Sequence, residues 1–297
     1  MTDSRSYGSP GAFRQALTNK LRDLATRSRW TLQQLQRQMA YDRLLERLYL
    51  VDEGWIIKGA TALLARDIGV RGTIDIDVYR EVAREIAERD LRRAAALDIG
   101  DWFRFEIGAP RPVVDTGGVR LPVTALVGNT VWVRFHVDLV GTDLRMTGEP
   151  EDVPPLARVV MPDVEQHGYR AYPLVDHIAD KICAILERHG PTQAPSTRFR
   201  DLVDLVAIAV AASVDAQPQM TALRSEAERR GLQLPDRFAV PDRALWEPGY
   251  TAEAGRSLLP TARTLDEALA TVTPCLDPLL GGTARGRWDP RNGRWTS

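Results

Sequence analysis

Residues 72–79 alternate without a break, and that alternation restricts the possible folds more than any other stretch of the chain. Thr73, Asp75 and Asp77 take one face of a strand; Ile74, Ile76 and Val78 take the other. Such a strand needs an apolar layer behind it and holds two carboxylates on its outer face, their Cβ atoms about 7 Å apart. Mg2+ prefers oxygen ligands and keeps substrate phosphates in its shell. A pair of ions about 4 Å apart clamps the attacking and leaving oxygens of an in-line displacement. A bare Asp-x-Asp is also what a solvated strand end carries, so the neighbouring residues decide between the two readings.

Upstream, Lys58-Gly59-Ala60-Thr61 follows a short strand expected over 53–57 and leads into a helix expected over 61–67. Gly59 permits close backbone approach, and N–H groups at the start of the helix, with the Thr61 hydroxyl, can hold phosphate oxygens. Of 39 basic residues only Lys20, Lys58 and Lys181 are lysines. An ammonium that persists where arginine is the default marks a need for a compact point charge, unless its placement is chance. Lys181 falls on a helix expected over 174–188, within the stripe of Leu174, Ile178, Ile182 and Ile185. A buried ammonium needs a carboxylate or a phosphate. Arg200-Asp201-Leu202-Val203-Asp204-Leu205 heads a helix apolar on nearly every side. Asp201 and Asp204 either tie Lys181 in a structural ion pair or join the chemistry, Asp201 as catalytic base or metal-site support. An acid in the first turn also stabilises a helix through its dipole alone. Asp138, on a strand expected over 130–140, is a third candidate metal ligand if that strand lies beside the first; otherwise it is a strand-end acid.

At 297 residues the chain can bury one large or two modest cores. Residues 1–12 read as a frayed start and 13–26 as a helix. Thr31-Leu32-Gln33-Gln34 is a capping box ahead of an apolar stripe of Leu32, Leu35, Met39, Leu45 and Leu48. A helix over 82–96 precedes strands over 102–107, 121–127 and 130–140. In the last of these Val131, Val133, Phe135 and Val137 oppose Trp132, Arg134, His136 and Asp138. The proline-rich stretch 142–162 is the expected lobe boundary, followed by helices over 174–188, 199–212, 220–230 and 265–276. After Leu280, Arg285, Arg287, Arg291 and Arg294 with Trp288 and Trp295 form either a flexible end or an arm that contacts nucleic acid through charge and stacking.

A net charge of −1 argues against a generally basic nucleic-acid coat and leaves room for a local basic groove. Cys183 and Cys275 match no metal spacing or secreted disulfide framework, and a reducing cytoplasm fits them. His136, His167, His177 and His189 give no zinc pattern. No signal peptide is expected, and the apolar stretch 202–212 is too short to span a bilayer.

Taken in order, Gly59-x-Thr61-x-Leu63, Arg66, Arg71-x-Thr73-x-Asp75-x-Asp77, Lys181 and Arg200-Asp201-x-x-Asp204-Leu205 resemble the motifs of AbiEii/MenT-type nucleotidyltransferase toxins. Those toxins belong to toxin–antitoxin systems and to the polymerase-β-like nucleotidyltransferase superfamily. The resemblance runs from about residue 15 to 280. It implies a bilobed α/β (α+β) fold: a helical segment over 1–50, a mixed-sheet nucleotidyltransferase lobe over 51–160, and a mainly helical lobe over 161–297 that closes the cleft. It implies that Gly59 and Thr61 hold the nucleotide phosphates, with Arg66 matching an arginine often found after the glycine motif, and that Asp75 and Asp77 bind Mg2+ or Mn2+; Lys58 is a further candidate nucleotide contact, and Asp138 stays the candidate third ligand. Lys181 would grip the triphosphate and Asp201 would be catalytic. Ala60 replaces a second glycine common in the family, and Gly72 stands where a bulkier residue is usual. The implied activity is transfer of a nucleoside monophosphate from an NTP to the 3′ end of tRNA, blocking translation. A cognate antitoxin would restrain it by contact or by modification, for which Thr73 beside the acids is a vulnerable point. The alternatives are transfer to a small molecule or a protein hydroxyl, and a non-catalytic nucleotide- or RNA-binding regulator.

Overall fold

The structure, a computed structural model, describes residues 6–113, 118–140 and 144–296. The chain divides into two compact units. The first comprises Met1–Arg66, Thr73–Leu144 and Glu151–Ala171; the second comprises Asp67–Gly72, Arg145–Pro150 and Tyr172–Ser297. The strand at Tyr169–Ala171 pairs into the sheet of the first unit. The expected frayed start and lobe boundary lie partly outside the described residues, at 1–5 and 142–143. Residues 6–12 are not frayed: the Ser6 N–H donates to Asp163, and Ser9 caps the first helix.

The first unit opens with helices α1 (Pro10–Arg27) and α2 (Leu32–Val51), the latter entered through the expected Thr31/Gln34 capping box. Strand β1 (Ile56–Ile57) leads into α3 (Gly59–Ala65), then β2 (Asp75–Tyr79) and α4 (Arg84–Ala95). Strands β3 (Phe103–Ile107), β4 (Arg111–Val113), β5 (Gly118–Val127), β6 (Thr130–Leu139), β7 (Glu151–Val153) and β8 (Tyr169–Ala171) complete one mixed sheet. Its order is β3-β5-β6-β2-β1-β8-β7, with β4 beside β5. The β2–β6 and β1–β8 pairs are parallel. Ile76 and Val78 are fully buried, as the alternation requires, each worth about 1.5–3 kcal/mol in burial. Ile74 is not: β2 begins only at Asp75, and Ile74 stands 55% exposed.

Two features of this unit depart from the sequence pattern. Between β5 and β6 the register slips at Ala125/Leu126, so Val131 and Val133 face successive partners and Trp132 is the extra residue. The bulge turns Trp132 into the same core as Phe135, where strict alternation would separate them. Helix α2 buries Asp42, Arg43, Glu46 and Arg47 along with its leucines. Every one of these charges is matched. Arg47 forks onto Asp101 at 2.8 and 2.7 Å, and Arg43 reaches the same carboxylate at 2.5 Å. Asp42 accepts from the Leu156 and Ala157 N–H groups and from the Tyr169 hydroxyl, and Glu46 binds His167. These bonds fasten the segment 155–169 to the helix, a role that replaces apolar packing with directional contacts.

The second unit is built from α5 (Leu174–Leu186), a small hairpin of β9 (Arg188–His189) and β10 (Ala194–Pro195), then α6 (Phe199–Ala211), α7 (Ala216–Arg230), α8 (Arg243–Arg256) and α9 (Leu265–Leu280). Helix α8 was not expected, because Pro248 and Gly249 interrupt its pattern. Its signals are the Asp242 cap and the buried series Trp246, Tyr250, Ala254. Gly249 is required there: a Cβ would stand 2.4 Å from the Phe199 ring, which packs edge-on against Trp246. The tail is not a loose end. Strands β11 (Arg287–Asp289) and β12 (Arg294–Thr296) form a hairpin whose Trp288 is buried. The Trp288 and Trp295 indole N–H groups donate to the Ala209 and Cys275 carbonyls. Among the described residues no helix is long and apolar enough to cross a membrane.

Candidate active site

Parallel pairing of β2 with β6 sets Asp75 opposite His136 and Asp77 opposite Asp138. Antiparallel pairing of β6 with β5 then sets Arg120 opposite Asp138. One polar face of the sheet therefore carries three carboxylates, a guanidinium and an imidazole. Asp75 Oδ1 lies 3.1 Å from His136 Nδ1 and its Oδ2 lies 3.4 Å from Arg120 Nη2. An ionised carboxylate only accepts, so this contact puts the imidazole proton on Nδ1. Arg120 forks onto Asp138, Nε to Oδ1 at 2.7 Å and Nη2 to Oδ2 at 2.6 Å. The hydrogen bond to Asp138, with the charges of Asp75 and Asp77 behind it, holds the Arg120 guanidinium above its ordinary range.

Gly59, the first residue of α3, sits at φ +56°, and a Cβ there would stand 1.9 Å from Asp77 Oδ2. The missing side chain leaves a cradle into which the Asp77 carboxylate fits. The Lys58 N–H donates to the Asp77 carbonyl at 2.8 Å, fastening the turn to β2. Two carboxylates from alternate positions of one strand, one seated in a glycine cradle, suit a hard divalent ion that takes its other ligands from phosphate and water. Among the described residues no three His, Cys, Asp or Glu side chains form a ready-made metal cluster. Asp138, expected as a third ligand, has both oxygens engaged by Arg120.

Thr61 and Arg66, two of the expected nucleotide contacts, also have structural partners within the first unit. Thr61 is fully buried, with its hydroxyl 3.4 Å from the Asp75 carbonyl, a contact that braces the turn against β2. Arg66 is the C-cap residue of α3, where it donates to the Ala62 carbonyl and to Glu151 at 3.0 and 2.9 Å. A cation at a helix C-terminus is favoured by the dipole, and the sequence motif does not distinguish that role from phosphate binding. The Thr73 hydroxyl donates to the Asp75 carbonyl at 2.9 Å, closing the turn before β2.

The second unit carries its own charged cluster. Lys181 is buried in α5 and its Nζ donates to Asp201 Oδ1 at 2.7 Å and Asp204 Oδ2 at 2.8 Å, both from the first turns of α6. Arg71 forks onto Asp204 at 2.9 Å through each of two nitrogens, and Arg198 reaches Asp201 Oδ2 at 2.5 Å. Burial alone would raise the Asp204 carboxyl, yet Lys181 and Arg71 overcome it and hold the group well below the usual carboxylate range. Burial likewise opposes the Lys181 charge, and the two aspartates more than restore it. The structural ion pair anticipated for Lys181 is present. Arg71 was seen in the sequence only as part of a motif. Arg120 and His136 had no assigned role. His136 shares Asp138's face by simple alternation, but Arg120 joins them only through the β5–β6 register.

A mixed sheet that sets paired acids beside a glycine-entered helix, with a separate helical unit, defines a nucleotidyltransferase-like fold. The family described as nucleotidyl transferase AbiEii toxin of type IV toxin–antitoxin systems matches residues 43–271, and the chain belongs to that family. MenT4, a nucleotidyltransferase toxin from Mycobacterium tuberculosis, shares the fold with a TM-score of 0.56 at 16% identity, over 89% of each chain. JHP933 from Helicobacter pylori aligns over 89% of this chain and 88% of its own, at 15% identity and a TM-score of 0.42. No curated protein matches the sequence.

Proposed function

We propose that this toxin nucleotidyltransferase moves a nucleoside monophosphate from an NTP to the 3′ end of tRNA in the cytoplasm, blocking translation until a cognate antitoxin restrains it. The observation that carries the reading is the Asp75/Asp77 face of β2 with Asp77 seated against Gly59. Asp75 and Asp77 would hold Mg2+ or Mn2+, which when bound neutralises the triphosphate and the charge that develops at the α-phosphorus. His136 fixes one oxygen of Asp75 and so sets the direction of the other. The acceptor hydroxyl attacks the α-phosphorus, its proton passes to a base, and pyrophosphate leaves with the bond it had to that phosphorus.

The family pattern further assigns Gly59, Thr61 and Arg66 to the nucleotide, with Lys58 beside them, Lys181 to the triphosphate and Asp201 to catalysis. The ion pairs of Lys181 and Asp201 also give them a structural function, so their test needs two readouts. Lys181→Ala that folds and still transfers removes the assignment; loss of transfer with the fold retained supports it. The exposed arginines of the C-terminal hairpin, Arg287, Arg291 and Arg294, offer a surface complementary to an RNA backbone. Incubation with each labelled NTP, Mg2+ and bulk tRNA, followed by sequencing of the 3′ ends, tests the whole reading. Label in tRNA that vanishes in Asp75→Asn and Asp77→Asn supports it. Label in protein or small molecules, or growth arrest that survives both substitutions, overturns it.

A further inference from the structure

The Arg120–Asp138 pair lies on the acid face and has no part in the scheme above. Arg120 projects from β5 directly across from Asp138 on β6. Its side chain is 39% exposed, whereas that of Asp138 is 18% exposed. A half-open guanidinium held by a two-pronged carboxylate contact is stiff, charged and reachable. Nε and Nη2 are spent on Asp138, with Nη2 also 3.4 Å from Asp75 Oδ2; Nη1 makes no hydrogen bond among the described residues. The free edge of the fork thus borders the carboxylate that would carry the divalent ion.

We propose that Arg120 contacts the phosphates of the bound nucleotide, and that Asp138 is its positioning residue and not a ligand of the metal. The inference rests on the nucleotidyltransferase reading and deepens it. An ion on Asp75 and Asp77 completes its shell with substrate phosphates. Those phosphates must then lie within a few ångströms of Asp75, which Arg120 already reaches. Arg120 holds Asp138 and also reaches Asp75. A divalent ion on Asp75 would compete with Arg120 for that carboxylate while Asp138 kept the guanidinium in place, so its remaining donors would be available to an anion. Asp138 as a metal ligand would have to share with a cation at least one of the oxygens that Arg120 already holds, which sets ion and guanidinium against each other at one carboxylate.

Two equilibrium measurements separate the roles without recourse to turnover. Mn2+ binding to the protein alone is followed by the electron paramagnetic resonance of free Mn2+. Binding of a fluorescent NTP analogue is then titrated at saturating Mn2+, with thermal unfolding as the check on fold. Arg120→Ala is expected to bind Mn2+ as tightly as the parent or more tightly, since a competing cation is gone. It is expected to bind the nucleotide about tenfold or more weakly, the loss of a charge-assisted contact. Asp138→Asn gives the same pattern in milder form. Arg120→Gln, which keeps the side chain's bulk, serves in place of the alanine variant if that one unfolds, with the same expectation.

Loss of Mn2+ binding in Asp138→Asn comparable with that in Asp75→Asn overturns the inference, as does nucleotide affinity unchanged in both Arg120 variants. The broader reading fails differently: Asp75→Asn and Asp77→Asn would then keep both Mn2+ and nucleotide binding.

Discussion

Gly59 lies at φ +56° with the Asp77 carboxylate where a Cβ would stand. Gly59→Ala must therefore either move Asp77 or shift the turn, and the left-handed backbone adds its own strain. Urea unfolding is expected to show a loss of about 1–3 kcal/mol, and Mn2+ binding should weaken more than that loss of stability explains. In the second unit the critical residue is Lys181. Lys181→Met leaves Asp201 and Asp204 buried with only Arg198 and Arg71, and is expected to cost about 3–5 kcal/mol at pH 7. The depressed Asp204 carboxyl gives this stability a pH signature. It binds its proton less readily when folded, so its contribution is complete above about pH 4 and is lost as pH falls below that. Acid titrations of unfolding should show the parent falling steeply below about pH 4 and the methionine variant falling less steeply from a lower start.

At the scale of elements, the C-terminal hairpin separates two uses of one sequence. Trp288 and Trp295 take one face and are fixed to α6 and α9, while Arg287 and Arg294 take the other. Trp288→Ala is expected to destabilise the second unit by about 3–5 kcal/mol, read by chemical denaturation. Replacing Arg287, Arg291 and Arg294 together by Ala should leave the fold intact. RNA affinity should drop and the salt dependence of log K should flatten by up to about three phosphate contacts' worth, measured by filter binding across a salt series. An unchanged slope would remove the hairpin from the RNA surface.

Across the whole chain, the two units are expected to differ in their response to pH between about 4 and 7. Asp42 of the first unit is pushed up from 3.8 to about 6, chiefly by burial, against the hydrogen bonds from Tyr169, Ala157 and Leu156. A raised carboxyl binds its proton more tightly in the folded state. Its ionisation costs roughly 3 kcal/mol above about pH 6, and that cost disappears as pH falls towards 4. Calorimetry between pH 4 and 7 should find the first unit losing stability as pH rises, a slope that Asp42→Asn abolishes. Below pH 4 both units weaken, the first through the depressed carboxyls of Asp90 and Asp101 and the second through Asp204.

Local chemistry made much of this legible. The Thr31 capping box, the alternation that buries Ile76 and Val78, the stripe around Lys181 and the acid pair at Asp75 and Asp77 all follow from periods of 2 and 3.6 and from the cost of unpaired charge. Helix α8 stayed hidden because Pro248 and Gly249 break its pattern, and Trp132 because a bulge resets the alternation. The roles of Thr61 and Arg66 were ambiguous for the same reason: a motif names residue types but not the direction in which they point. By itself the sequence determined which side chains carry charge and which face of each element must be dry. Only the tertiary structure decided which charges meet, because Arg120 with Asp138, Arg71 with Asp204 and Arg47 with Asp101 are joined by strand register and helix packing across long stretches of chain.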